Sequence, residues 1–521
     1  MSEEVEVTRS GGIISALTLT SRVLGMIRDI VIARVFGAGI VADAFFVAFS
    51  LPNMLRRMLG EGSLTISFVP VFTEELETKP RNEAMKLAYS AFWLVLIILL
   101  VLTALGMLFA PWIARIMAPG FISIPEKIAL AEKMTRQLFP YTLLICLVAL
   151  AMGVLNSFKH FAMPSASPIF LNISLIASVL IFNHRFQFWH PGTALVIGVL
   201  AGGVIQFLAQ VPVLIRYGFT FKPILELTHP GLRKIWRLML PSIFGASIYQ
   251  INFLIATIFV SPFEGGRSYI YYADRLIQLP LAIFAIALAT AILPSLSQFA
   301  SQKQWKEFEG LVNFGLRLVG FLIIPSMLGL ILLRVPIVSL IYQHGTFSAQ
   351  DTQSTAFALL FYALALWASA GVRIMASSYY SLQDARTPVW CAGIAMVINL
   401  LGCAFLTRIS VLGFAGVALA TALATGVNFL LLALLFSRKQ ISFQLQPLVK
   451  TAGKSLIACL PLIFFSLYLS RLPFWLEAGK ILEKLIWVLG GIIISAGGYF
   501  LIAWLLKMEE LKILGQILRR K

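Results

Sequence analysis

The stretch from Ser21 to Glu61 places Arg22, Arg28, Asp29, Arg34, Asp43, Arg56, Arg57 and Glu61 within or beside long apolar runs. A charged side chain at bilayer depth is costly, so such groups face a protein interior or a watery cavity. Arginine predominates over lysine here. Guanidinium presents a planar fork of donors matched to phosphate oxygens, so a phosphate or pyrophosphate fits best, with a carboxylate or chloride as alternatives. Arg22 and Asp29 are seven residues apart, two helical turns, and are placed to pair. Arg28 is rotated away from Arg22 and needs another partner or a ligand. Gly25, near them both, would allow a bend or a close backbone approach.

Asp43 falls where a second span begins, a position that suits an anion. Pro52 and Asn53 interrupt that span, which frees carbonyls toward a cavity. Arg57 and Glu61 are one turn apart and can pair, whereas Arg56 has no obvious partner on its own face. Far along the chain, YYADRLIQLP supplies Asp274 and Arg275 ahead of Pro280. A snorkelling Asp274–Arg275 pair at a helix end is the plain reading; a cation offered to a ligand is the other.

Other chemistries lack their residues. There is no GxxxxGK[ST] loop, no HExxH, no GxSxG and no Cys/His cluster. The histidines His160, His184, His190, His229 and His344 fall mostly in predicted loops. Cys146, Cys391, Cys403 and Cys459 lie in apolar runs without CxxC spacing and read as buried small hydrophobes. No enzyme activity, metal or cofactor is expected. Movement of a ligand would then draw on an ion gradient, on membrane potential, or on consumption of the product outside.

The elements that must position these charges are membrane spans. Of 521 residues, 59% are hydrophobic and 12% charged, half the charge of a soluble chain. Long continuous apolar runs predict an all-α polytopic protein and not a β-barrel. Counting runs of about 20 apolar residues gives about fourteen spans, the first two being the charged pair near 13–36 and 41–60. Basic residues concentrate in alternate loops, which predicts both termini on the cytoplasmic side. The formal charge of +18 follows from these loops, so nucleic-acid binding is not expected. The acidic start MSEEVEV lacks the basic n-region of a signal peptide.

An internal repeat organises the spans. Ser157 and Pro164 recur as Ser381 and Pro388, and Pro70 as Pro294, all offset by 224 residues. Two parallel six-helix halves follow, 1–217 and 218–440, with a final pair of helices and a tail in 441–521. Parallel repeats place a substrate site between the halves. The last pair is rich in Leu, Ile and Phe, which suits lipid-facing packing or a groove for a lipid tail.

The segments SRVLGMIRDIVIARVFGAG, ADAFFVAFSLPNMLRRMLGEGSL and SFVPVF resemble the N-terminal signature of the MurJ/MviN lipid II flippases. YYADRLIQLP and YYSLQDARTPV resemble their second-half motifs. These belong to the multidrug/oligosaccharidyl-lipid/polysaccharide exporter superfamily, and the similarity runs over essentially the whole chain. It implies an inner-membrane protein that moves undecaprenyl-pyrophosphate disaccharide-pentapeptide (lipid II) from the cytoplasmic to the periplasmic leaflet by alternating access. The family's cavity arginines fall on Arg22, Arg28, Arg56 and Arg275, which are the expected substrate-binding residues, and its acidic positions on Asp29, Asp43 and Glu61; these acids and Asn53 are expected to gate or to pair charge. The groove between the extra helices is proposed to take the polyprenyl tail. Some members bind sodium through Asp and Asn of the second lobe; the seventh span offers Gln250 and Asn252 but no carboxylate. Coupling to sodium, chloride or membrane potential stays open. Lipid II and membrane lipids are the expected partners, with cell-wall synthesis enzymes as further candidates and a monomer as the expected state. Alternatives are an exporter of another polyprenyl-linked oligosaccharide, a drug/ion antiporter, for which an acidic cavity is expected, and a scaffold whose charges only hold helices together.

Overall fold

The computed structural model describes residues 3–58, 64–182, 190–437 and 445–513, and these contain helices, turns and no strand. The chain forms two compact units, 1–267 and 268–521.

The first unit holds α1 (Glu3–Phe36), α2 (Ile40–Leu55), α3 (Thr65–Thr78), α4 (Arg81–Leu108) and α5 (Ala110–Met117). It continues with α6 (Pro125–Ser157), α7 (Ala162–Phe182), α8 (Thr193–Arg216) and α9 (Pro230–Val260). Helix α10 (Gly266–Pro280) begins at the boundary and runs through a π-helical turn, Leu281–Ile286, into α11 (Ala287–Ser301). The second unit then holds α12 (Trp305–Leu332), α13 (Arg334–Tyr342), α14 (Ala349–Leu364), α15 (Leu366–Ser381) and α16 (Arg386–Leu406). Its last helices are α17 (Ala415–Ser437), α18 (Leu445–Ala458), α19 (Leu460–Ser470) and α20 (Ile481–Leu505).

Among the described residues nine helices are long and apolar enough to cross a membrane, and the pairs α14–α15 and α18–α19, bent by 41° and 44°, make up to eleven. The other three of the fourteen expected spans fall on α1, α2 and α9, which lie outside this count. They escape a simple hydropathy count because α1 is charged, α2 has only 16 residues, and the apolar helix described within α9 is Gln250–Val260. Pro461 in the first turn of α19 explains the second bend, since proline has no amide to continue the ladder from α18.

In the first unit, α6 is the central pillar, contacted by α2, α3, α4, α5 and α8, while α7 packs between α1 and α8. The α7–α8 contact depends on glycine. A Cβ at Gly198 would lie 2.9 Å from the Leu175 Cα, and one at Gly202 would lie 2.8 Å from Leu171 Cδ1. Gly198 and Gly202 are one turn apart, the small-xxx-small pattern that lets membrane helices approach closely. Ser174 and Ser178 use that proximity to donate to the carbonyls of Gly198 and Ala194, at 2.9 and 2.6 Å.

Helix α9 packs on α3, α4 and α5 of the first unit, so the contact boundary falls after it, whereas the sequence repeat counts the seventh span with the second half. The segment leading into it is strapped along α4. Trp93 Nε1 donates to the Lys222 carbonyl at 2.7 Å, Arg81 to that of Tyr217 at 2.9 Å, and Ser90 accepts from the Glu226 amide at 2.9 Å.

The repeat is visible in local geometry. Lys159 and Gln383, offset by the same 224, are both left-handed with φ 58°. The His160 amide donates to the Leu155 carbonyl at 2.9 Å, and the Asp384 amide to that of Tyr379 at 3.0 Å. These are the six-to-one bonds of a Schellman helix end, closing α6 and α15 in the same way.

The last three helices pack on α12. Phe321, Ile324, Cys459, Tyr499 and Ala503 form one core, and Tyr499 donates to the Phe321 carbonyl at 2.6 Å. The α19–α20 contact is tight, since a Cβ at Gly491 would lie 2.5 Å from Leu469 and one at Gly498 would lie 2.7 Å from Pro461.

Candidate functional site

The first unit gathers the expected residues of α1 and α2. Arg28 and Asp29 are buried, 9% and 1% exposed, and point toward α7. Asp29 Oδ1 accepts from Arg28 Nε at 3.0 Å and from Nη2 at 2.7 Å. Arg28 Nη1 donates to Asn172 Oδ1 at 2.9 Å. The Arg22–Asp29 pair that helical spacing allows is not formed. Arg22 is exposed, two turns back along α1, and Asp29 is taken by its immediate neighbour, whose flexible stem can fold the guanidinium back onto the carboxylate. Gly25 neither breaks α1 nor is crowded, since a Cβ there would sit 3.7 Å from Asn172.

Asp43 lies in the first turn of α2 and is no mere cap. It is wholly buried and bonded at 2.6 Å to Lys127 Nζ, 1% exposed. The ammonium also lies over the Phe121 ring at 4.2 Å. Lys127 reads in the sequence as an ordinary loop lysine. It is buried because it sits in the first turn of α6, next to the tight turn at Pro119–Ser123. Arg267 is a second such case, 2% exposed, with Nη2 3.2 Å from Ser50 Oγ and its guanidinium over Phe253 at 4.5 Å. No local signal separates these residues from solvated loop cations.

Pro52 sits inside α2, which gives way to a wider turn at Arg56–Met58. Arg56 Nε donates to Asn53 Oδ1 at 3.1 Å, so the interrupting asparagine is the partner that Arg56 lacked in sequence. Arg57 is partly buried and makes no hydrogen bond or ion pair among the described residues, and Arg34 is exposed. Glu61, and with it the Arg57–Glu61 pair, lies outside the described residues.

In the second unit, Arg275 is partly buried on α10. Its Nη2 donates to Tyr271 Oη at 2.9 Å, its Nη1 lies 3.4 Å from Gln278 Oε1, and its guanidinium is 5.0 Å from the Tyr271 ring centre. Gln278 in turn donates to Asp274. Tyr271 and Gln278, a turn to either side, each bond to the guanidinium.

Arg373 is a cation within a span that the sequence did not single out. It lies mid-way along α15, is exposed, and makes no hydrogen bond or ion pair among the described residues. Its neighbours along the same face are Ser369, Ala376, Ser377 and Tyr380, small or polar where a lipid-facing stripe would be Leu and Ile. All four cysteines are free and buried. Among the described residues no group of three His, Cys, Asp or Glu could hold a metal ion.

These arrangements can bind an anion through guanidinium groups and hold charge inside apolar helices, which is the chemistry of a carrier. The family model described as "Lipid II flippase MurJ" matches residues 32–478. The chain is 37% identical to a probable lipid II flippase MurJ of Vibrio cholerae over 433 residues, covering 81% of this chain and 82% of that one. The fold is similar to a solved lipid II flippase MurJ in an inward closed conformation, with TM-score 0.78, 28% identity, and 95% and 99% of the two chains covered. A multidrug transporter of the MOP superfamily, at 15% identity and TM-score 0.68 over 84% of this chain and 99% of that one, shares the fold. From its charged first spans to its last helices, the chain belongs to the MurJ family of lipid II flippases.

Proposed function

We propose that this integral inner-membrane protein carries lipid II from the cytoplasmic to the periplasmic leaflet by alternating access, with its pyrophosphate held by arginines. The observation that carries this reading is the pose of Arg28. It is a buried guanidinium inside a spanning helix, held by Asp29 and Asn172 and not left to snorkel. Arg22, Arg56 and Arg275 complete the cationic set, with Arg56 held by Asn53 and Arg275 by Tyr271. Asp29 and Asp43 hold cations in place. A drug/ion antiporter would want an acid-rich, cation-accepting interior, and the buried acids Asp29 and Asp43 are already engaged by Arg28 and Lys127.

The repeat halves 1–217 and 218–440 are the lobes that move in this scheme, with 441–521 as the added pair, and both termini lie in the cytoplasm. The protein works as a monomer, and the energy for transport comes from membrane potential or an ion gradient.

Depletion of the native protein, rescued by Arg28→Ala, Arg28→Lys, Arg275→Ala or Arg275→Lys, tests the reading. Arg275→Ala is expected to reach the membrane at normal levels and Arg28→Ala at a somewhat lower level, since buried Asp29 loses that partner, and both are expected to lose lipid II translocation per molecule. The lysine variants are expected to retain part of it, because an ammonium keeps the charge but not the fork. Growth and translocation unaffected by all four changes would sink the phosphate-binding role, and loss of protein from the membrane fraction would mark the charges as structural.

A further inference from the structure

Asn172 has no counterpart among the residues singled out by sequence. It lies on α7, 5% exposed, in the middle of an apolar helix. Its amide bridges two groups of α1: Nδ2 donates to the Ser21 carbonyl at 3.1 Å, and Oδ1 accepts from Arg28 Nη1 at 2.9 Å. Only one orientation of the amide satisfies both, because a backbone carbonyl can only accept and a guanidinium can only donate. The Ser21 contact thus fixes which atom of Asn172 faces Arg28.

We propose that Asn172 is a positioning residue for the substrate-binding arginine, setting the direction in which Arg28 presents its donors to a phosphate group. This rests on the reading of Arg28 as a substrate contact. Asp29 grips the Nε–Nη2 edge of the guanidinium from the same helix, through a single carboxylate oxygen. Asn172 takes Nη1 from a second helix, so the plane is held at two points on two elements. A fork held in advance loses less freedom when it binds a bidentate ligand, which is where such positioning gains affinity. The same amide ties that pose to the packing register of α1 on α7, since Ser21 lies two turns before Arg28.

The test uses the full chain in lipid nanodiscs, with undecaprenyl pyrophosphate as the bound probe and lipid II transport in proteoliposomes as the second readout. Loss of one hydrogen bond to a charged group corresponds to about tenfold in affinity. Asn172→Leu, similar in size, and Asn172→Ala are each expected to weaken probe binding by about that factor, and to lower the unliganded thermal midpoint no more than Arg28→Ala does. They raise KM for lipid II more than they lower kcat. Asn172→Gln, which carries the same two groups, recovers part of the loss. In an Arg28→Ala background, adding Asn172→Leu changes binding no further, since the two act as one unit. Native binding by Asn172→Leu and Asn172→Ala, while Arg28→Ala binds poorly, overturns the positioning role. So does an Asn172→Leu loss that adds in full to that of Arg28→Ala, or failure of both Asn172 variants to accumulate when Arg28→Ala does. Native binding by Arg28→Ala would instead remove the reading of Arg28 on which the proposal stands.

Discussion

At the scale of single residues, the membrane interior is tolerable to charge only where each group is matched. The Asp43–Lys127 pair is the plainest case, because neither partner reaches solvent. Removing one partner of such a pair strands the other, at a cost of about 3–5 kcal/mol, whereas replacing both costs far less. Lys127→Met is therefore expected to lower the thermal midpoint and the membrane level sharply. Asp43→Asn combined with Lys127→Met should recover much of that loss, and thermal unfolding in detergent compares them directly. Arg373 makes the opposite point. An exposed arginine beside Ser369 and Ser377 belongs to an aqueous face, since acyl chains would not accept it. With the native cysteines all buried, Arg373→Cys is expected to react with a membrane-impermeant thiol reagent added from one side of the membrane. A site that resists the impermeant reagent from both sides of the membrane would place that face in lipid.

At the scale of elements, small residues and helix ends set the geometry that the charges use. Gly198 and Gly202 let α8 close on α7, and α7 carries Asn172 to Arg28. Gly202→Leu should then impair binding of the pyrophosphate lipid as well as stability, although its side chain is far in sequence from any charge. The ends of α6 and α15 use lysine and glutamine where a left-handed residue is required. That conformation costs a non-glycine residue about 1–2 kcal/mol, partly offset by the greater freedom of glycine in the unfolded chain. Lys159→Gly and Gln383→Gly are each expected to stabilise the protein by roughly 0.5–1 kcal/mol, read as a small rise in thermal midpoint. Equal gains at both positions would follow from the matched geometry of the two junctions.

At the scale of the whole molecule, stability should depend on pH through a group far from the arginines. His190, 7% exposed beyond the membrane-spanning helices, is held by burial and by nearby Lys133 down to a pKa of about 4, from 6.5. Its Nδ1 accepts from the Gly192 amide at 3.2 Å, and its Nε2 is 2.8 Å from Gln137 Oε1, an arrangement that suits the neutral ring. Below pH 6.5 the unfolded chain takes up a proton that the folded chain refuses. The stability from the neutral ring is whole above that pH and declines as pH falls toward 4. A loss of roughly 2 kcal/mol by pH 5 is expected, and His190→Gln should flatten the pH dependence of the thermal midpoint over that range.

Composition and run length alone determined that the chain is a bundle of membrane helices, because a backbone in hydrocarbon must satisfy its own hydrogen bonds. Sequence also marked Arg28, Arg56 and Arg275, because charge inside an apolar run stands out against its neighbours. The 224-residue offset reached as far as the local backbone, down to the left-handed Lys159 and Gln383. Pairing was another matter. Helical periodicity joined Arg22 to Asp29, but tertiary packing left Arg22 exposed and turned Arg28 onto Asp29 and Asn172. Lys127 and Arg267 looked like solvated loop cations until the fold buried them against Asp43 and Ser50. A single asparagine in an apolar helix carries no mark of its own. Its role exists only because glycines on α8 and the packing of α1 bring three distant segments to one point. Periodicity acts within one helix, and the partner that settles a buried charge comes as a rule from another.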